Sequence, residues 1–253
     1  MRSKQEQLRE LIYQSESTVF FGGAGVSTES GIPDFRSAAG LYAAQQVYGY
    51  PPEKLLSHTF FAQQPALFFR YYKEKLIAPD AKPNPAHLAL AQLEKARKLR
   101  AVITQNIDGL HQQAGSQNVL ELHGANARQY CTDCAKRYDL AYILDAAHCP
   151  DGCIPRCESC GGIVRPEVVL YEEPLDERVM QAAVQAIAGA ELLLVGGTSL
   201  AVYPAAGLLQ YFRGRKLVLI NKSETPYDAK ADLVIHEAIG EVLGAVAAAM
   251  RNE

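Results

Sequence analysis

Cys131 and Cys134, then Cys157 and Cys160, form two C-x-x-C pairs with 22 residues between them. Thiols two residues apart can face one ion, and two such pairs supply four sulfurs at zinc-ligand spacing. Four thiolates fill every position of tetrahedral Zn²⁺, so this metal would hold the fold rather than act on bonds. Cys149 and Cys153 lie between the pairs, either as spare loop thiols or with one of them in a rival quartet. Catalytic groups must come from elsewhere.

Residues 18–37 read TVFFGGAGVSTESGIPDFRS, an apolar run followed by glycines. Such glycines either let a backbone approach phosphates at a helix N-terminus or serve a purely steric turn. Gly23 and Gly25 supply G-x-G, but Thr28 stands where a third glycine belongs, and residues 35–52 contain no acid for a ribose. Hydride transfer on an ordinary dinucleotide site therefore loses its support. Three further segments end apolar runs with polar residues: TQNIDGLH at 104–111, LHG at 122–124, and GGTSL at 196–200 with Ile220-Asn221. Gln105, Asn106 and Asp108 could hold a ribose or simply cap a turn. His123 is the best acid or base candidate, since imidazole titrates near neutrality, against the alternative of a satisfied strand-end histidine. His58, His87, His111, His148 and His236 show no comparable setting.

These groups need a scaffold. TVFF, RAVIT, NVLEL, EVVLY, ELLLV and KLVLI read as buried parallel strands. Most are separated by helical segments, including Lys4 to Ser15, Ala86 to Lys98, Asp176 to Ala188 and Ile239 to Met250. Ser3 and Glu6 are spaced as a capping box for the first helix. Residues 37–80, with two helical patterns, and residues 127–164, with the cysteines, break the alternation and read as insertions building a second lobe. A cleft between lobes is then the expected ligand site.

At 253 residues the chain can bury a substantial core, and its net charge of −3 argues against a nucleic-acid partner. Between Cys131 and Arg165, Lys136, Arg137, Arg156 and Arg165 are outnumbered by Asp133, Asp139, Asp145, Asp151 and Glu158, unlike a DNA-binding ribbon. The opening MRSKQEQLRELI lacks a signal-peptide core, and AELLLVGGTSLAVYPAAGLL is broken by glycines and Pro204. A cytoplasmic protein without membrane or nucleic-acid partners is expected, with its cysteines ligating metal rather than paired.

Taken together, GAGVSTESGIPDFRS at 23–37, TQNIDGLH, the His123 motif, the four cysteines, VRPEVVLYEE at 164–173, GTSL at 197–200 and NKS at 221–223 closely resemble the sirtuin family. These are NAD-dependent protein lysine deacylases, and the likeness, of bacterial type, spans nearly the whole chain. It implies an α/β fold with a Rossmann-like parallel sheet, and a smaller lobe made of a helical insertion and a zinc module. Residues 1–36, 81–126 and 165–253 would form the NAD-binding domain, with 37–80 the helical insertion and 127–164 the zinc module.

The resemblance also implies roles. Gly23, Ala24, Gly25, Asp34, Phe35 and Arg36 would line the phosphate and nicotinamide side. Gln105, Asn106, Ile107 and Asp108 would contact the ribose and nicotinamide pocket. Gly197, Thr198, Ser199, Asn221, Lys222, Ser223 and Ile239 would hold the adenosine half. An acetylated lysine would enter on a peptide strand between Val168, Val169, Leu170, Tyr171 and Glu173 on one side and Ala201 and Val202 on the other. His123 would deprotonate the attacking ribose hydroxyl, with Asn106 and Asp108 serving nicotinamide cleavage and Cys131, Cys134, Cys157 and Cys160 holding structural zinc. The products would be nicotinamide, deacylated lysine and O-acetyl-ADP-ribose.

Two features depart from relatives. Many carry Phe-Gly-Glu where this chain has Tyr171-Glu172-Glu173, so Glu172 is expected to favour basic residues beside the target lysine. Sirtuins that prefer succinyl-lysine share a Tyr-x-x-Arg pair, absent from ALFFRYYKEKL at 66–76, where Glu74 is expected to repel acidic acyl groups. The alternatives are protein ADP-ribosyl transfer from the same NAD site and a noncatalytic NAD-sensing or zinc-ribbon module.

Overall fold

The structure is a computed structural model that describes residues 2–34 and 45–250. Six strands form one parallel sheet: β1 (Thr18–Gly22), β2 (Leu99–Thr104), β3 (Val119–Glu121), β7 (Leu192–Gly196), β8 (Lys216–Ile220) and β9 (Leu233–Ile235). Their order is β3-β2-β1-β7-β8-β9, which reverses direction of growth between β1 and β7. A crevice opens at the carboxyl ends of strands at such a switch point.

Alternate residues of each strand feed opposite faces. Phe20, Val102, Leu194 and Val218 pack with Leu8, Ile12, Leu90 and Val246 on one side. Val19, Phe21, Ile103, Leu193 and Leu219 pack with Ala183 and Ile187 on the other. Both faces are covered, which explains why these strands read as continuous apolar runs. The helices Lys4–Gln14, Glu177–Ala188 and Ile239–Met250 lie within or at the expected bounds, while Pro85–Lys95 starts one residue before Ala86 and ends three before Lys98. The Ser3–Glu6 capping box is formed.

The remaining strands build a separate antiparallel sheet, β5-β4-β6, from β4 (Gly124–Cys131), β5 (Arg137–Asp139) and β6 (Val164–Val168). EVVLY is therefore not a strand of the parallel sheet. Only Glu167 and Val168 extend β6, pairing with Ala125 and Gly124. The buried Arg165 guanidinium donates to Val168 O and to both Glu173 oxygens, which bends the chain away after Val168. The helices Pro52–Leu55, His58–Gln63 and Pro65–Lys75 cover this sheet, with Phe60, Phe68, Phe69 and Tyr72 packed against Ile143, Val164, Cys131 and Cys157. Among the described residues no helix is long and apolar enough to cross a membrane; the suspect apolar stretch is β7, a turn and the 3₁₀ segment Ala205–Tyr211.

Candidate active site

The turns after β1 and β7 lie against each other. Gly25 N donates to Gly197 O at 2.8 Å, and a Cβ on Gly25 would sit 2.8 Å from the Gly197 Cα. Gly197 has φ +59, and its Cβ would meet the Val26 nitrogen at 2.3 Å. These glycines are thus required by two backbones meeting at the switch point, while their outer surface faces a cleft. Over the described residues 23–34 no α-helix follows this turn. Two 3₁₀ turns, Ala24–Val26 and Thr28–Ser30, replace it. Asn84 Nδ2 takes the Val26 carbonyl and Thr28 Oγ1 takes that of Gly25, the acceptors an α-helix would use.

The cleft holds about 730 Å³ and is walled by both lobes. Gly23, Ala24, Gly25, Asp34, Gln105, Asn106, Ile107, Asp108 and His123 line it. So do Val168, Val169, Leu170, Tyr171, Glu173, Gly197, Thr198, Ser199, Val202, Asn221, Lys222, Ser223 and Ile239. Ala201 is exposed and not part of the lining. Phe35 and Arg36 lie outside the described residues.

After β2 the chain sets three polar side chains in fixed positions. Gln105 Nε2 donates to Thr198 Oγ1 at 3.1 Å, joining the two strand ends. Asn106 Nδ2 donates to Ser27 Oγ at 3.0 Å, and Ser27 Oγ donates to Asp108 Oδ2 at 2.7 Å. Asp108 Oδ1 accepts from Leu110 N at 2.9 Å, closing a turn through Gly109 into the short helix Leu110–Gln113. Asp108 therefore closes the polar turn and anchors Ser27 while also lining the cleft.

His123 joins β3 to β4, and its Nδ1 lies 2.9 Å from the Gln105 carbonyl oxygen. A carbonyl can only accept, so Nδ1 carries a proton, and in the neutral ring the lone pair is then on Nε2. His123 O accepts from Val169 N at 3.0 Å, which ties the imidazole to the wall of the cleft.

In the small lobe, the sulfurs of Cys131, Cys134, Cys157 and Cys160 all lie within 4.8 Å of one another. The Cys131–Cys160 and Cys134–Cys157 separations are 3.4 and 3.7 Å. A tetrahedron with Zn–S bonds of about 2.3 Å has edges of about 3.8 Å, so this donor set fits zinc. The two knuckles are built alike: Ala135 (φ 59) and Gly161 (φ 77) follow the second cysteine of each pair and donate back to Cys131 O and Cys157 O. Cys149 and Cys153 stand outside this group, Cys149 accepting from Lys73 Nζ at 3.3 Å and Cys153 donating to Ala66 O at 3.3 Å.

The sequence profile of the Sir2 family matches residues 23–204, spanning the glycine turn, the His123 segment and the cysteine lobe. The chain belongs to the Sir2 family. It is 58% identical over 243 residues to the NAD-dependent protein deacetylase of Clostridium acetobutylicum, covering 96% of this chain and 98% of that protein. It is 58% identical over 247 residues to the NAD-dependent protein deacetylase of Clostridium perfringens, covering 97% and 99%. A solved Sir2 structure with a p53 peptide and NAD⁺ superposes with a TM-score of 0.87 at 38% identity, covering 99% of this chain and 100% of that one. Like these sirtuins, the chain has the Rossmann-like sheet with a smaller lobe and four cysteines positioned for structural zinc.

Sequence reasoning about this Sir2 protein missed two histidines. His87 Nε2 lies 3.5 Å from Ser27 Oγ, and His111 packs edge-on against His87 with ring centroids 4.7 Å apart. Burial pushes His87 down to about 4, with Asp108 opposing, and His111 down to about 3. Both are neutral near pH 7 and back the Ser27–Asn106–Asp108 cluster with uncharged rings. The spacing Asn84–His87, a capping pair closed by Asn84 N to His87 Nδ1, was the available signal.

Proposed function

We propose that this protein is an NAD-dependent protein lysine deacetylase that works in the cleft between its lobes and releases nicotinamide and O-acetyl-ADP-ribose. The observation that carries the reading is the His123 tautomer, fixed by the Gln105 carbonyl, in the same cleft as the Ser27–Asn106–Asp108 cluster. Bound NAD would supply a ribose carbon whose bond to nicotinamide breaks as the acetyl oxygen replaces it.

The chain's own groups have separable tasks. His123 would accept a ribose hydroxyl proton at Nε2. Asn106 and Asp108, locked through Ser27, would present preorganised polar groups to the nicotinamide side with little reorganisation. Gly23, Ala24, Gly25 and Asp34 would meet the phosphates and nicotinamide, together with Phe35 and Arg36. Gly197, Thr198, Ser199, Asn221, Lys222, Ser223 and Ile239 would hold the adenosine half. Val168 to Tyr171, Glu173, Ala201 and Val202 would bracket an acetylated peptide, added as a strand. Cys131, Cys134, Cys157 and Cys160 would hold zinc in a closed shell that serves the fold. We infer a cytoplasmic protein without nucleic-acid or membrane partners, on its net charge of −3 and on four cysteines placed for metal rather than paired.

Nicotinamide release measured with and without an acetyl-lysine peptide tests the reading. Release should require the peptide, and labelled NAD should yield soluble O-acetyl-ADP-ribose; label retained on protein would favour ADP-ribosyl transfer instead. Asp108→Asn should lower nicotinamide exchange about 10- to 100-fold, the range of a charged hydrogen bond. Unchanged exchange would remove Asp108 from the proposed machinery.

Acyl preference follows from the cleft wall, where Leu56, Leu76, Ile107, Val168 and Leu170 surround Tyr72. The Tyr72 hydroxyl is engaged as donor to Asn126 Oδ1 at 2.7 Å. The expected repulsion by Glu74 does not arise, because Glu74 pairs with Arg70 at 3.1 Å on the exposed surface and does not line the cleft. Lys75 is exposed as well. A succinyl carboxylate would enter this apolar wall, which offers no cation among its described residues, at a cost of about 2 kcal/mol or more. Acetyl-lysine should exceed succinyl-lysine at least roughly 30-fold in kcat/KM on matched peptides. A higher value for succinyl-lysine would overturn the assignment of this wall.

A further inference from the structure

Glu172 holds a backbone conformation that side chains with a Cβ rarely adopt, φ 77, on the wall of the cleft. Its neighbours are laced to the helical insertion. Tyr171 N donates to Leu56 O and His58 N donates to Tyr171 O, both at 3.0 Å. Thr59 N then donates to Glu172 Oε2 at 2.9 Å, at the start of the helix His58–Gln63. These bonds hold the left-handed turn and fix where the carboxylate sits.

Charge accounting on this wall singles out the same residue. Along the described lining of 168–175 and 202–204, the ionisable acids are Glu172 and Glu173. Glu173 is neutralised by the buried Arg165, at 2.6 and 3.1 Å, and its Oε1 also meets His58 Nδ1 at 2.9 Å. Among the described residues no Lys or Arg pairs with Glu172; it is held by the Thr59 N–H and by the Thr59 and Ser57 hydroxyls, with His58 nearby. The Thr59 hydroxyl and N–H hold its carboxyl below the usual range, so it is ionised near neutral pH. Even with these bonds the carboxylate keeps its charge, and its lone pairs leave capacity for a further donor.

We infer that Glu172 is a specificity residue that selects acetyl-lysines flanked by basic side chains and disfavours acidic flanks. The inference rests on the proposed peptide position between Val168–Glu173 and Ala201–Val202. A peptide strand there passes a fixed, exposed negative charge, and such a rim charge acts through water, weakly and with salt sensitivity. The effect falls on peptide association rather than on the chemical step, so it should appear in KM.

Three acetyl-lysine peptides differing only in arginine, alanine or glutamate beside the target lysine test this. Wild type should rank them arginine, alanine, glutamate in kcat/KM, with steps of about two- to fivefold that shrink at high salt. Glu172→Gln retains an acceptor for Thr59 N and should level the series; Glu172→Gly, which relaxes the positive φ, is the second variant and should do the same. Equal rates in wild type, or a ranking that survives both substitutions, would overturn the inference. Binding of the same peptides by fluorescence anisotropy reads the preference without turnover. Charge-ranked binding with no deacetylation of any peptide would sink the deacetylase reading and leave the Glu172 assignment standing.

Discussion

Replacing His123 with alanine is expected to leave zinc content, thermal stability and NAD affinity near wild type while lowering deacetylation about 10²- to 10⁴-fold, the usual cost of removing a general base. The separation follows from what the side chain touches. Its Nδ1 bonds a backbone carbonyl rather than a core side chain, and the ring is only part-buried. The backbone bond from Val169 N to His123 O and the β4 pairing that begins at Gly124 survive truncation of the side chain. His123→Asn is the sharper control, because an amide can keep a donor on the Gln105 carbonyl yet cannot accept a proton at neutral pH. Both variants should still catalyse nicotinamide exchange, which precedes the proton removal assigned to His123. Near-normal deacetylation in a clean preparation would sink the assignment, and loss of NAD binding would show the imidazole to be structural.

What the sequence could and could not reveal follows from the range of the interactions involved. The β1, β2, β7 and β8 runs were legible because burial on both faces writes itself as unbroken apolar residues. β9, Leu233–Ile235, was missed: its three residues show no period, and unlike the equally short β3 it has no further apolar residue beside them to lengthen the run. EVVLY misled because its apolarity serves the cleft wall and the small-lobe core, and the Arg165–Glu173 pair that turns the chain is set by tertiary contact. The site shows the same division. His123 and the cysteines announce themselves by residue type and spacing, whereas Ser27, His87 and His111 acquire their setting only when three segments distant in sequence meet behind Asp108. Glu74 erred in the opposite sense, since helical numbering alone does not say which face of Pro65–Lys75 turns to the cleft.

Replacing Cys157 with alanine should remove zinc and unfold much of the small lobe, the largest loss of stability expected from any single substitution here. Cys131 and Cys157 are both buried and belong to the apolar cluster that includes Phe68, Phe69, Tyr72 and Val164. The sulfur of Cys157 also meets the Tyr138 hydroxyl at 3.0 Å, and its backbone closes the second knuckle through Gly162 O. Three remaining thiolates would be left crowded without a complete shell, and metal binding in such lobes is folding free energy. A loss of about 3–5 kcal/mol corresponds to a fall in Tm of about 10 °C for a chain of this size. The consequence should reach the cleft unequally. β4 ends at Cys131 and β6 begins at Val164, so melting of this sheet releases the Val168–Glu173 wall, whereas the turns after β1 and β7 belong to the parallel sheet. Peptide affinity should therefore fall further than NAD affinity. Elemental analysis with thermal melts decides it: Cys149→Ala and Cys153→Ala should keep one zinc per chain, and zinc lost from either of them but retained by Cys157→Ala would refute the quartet.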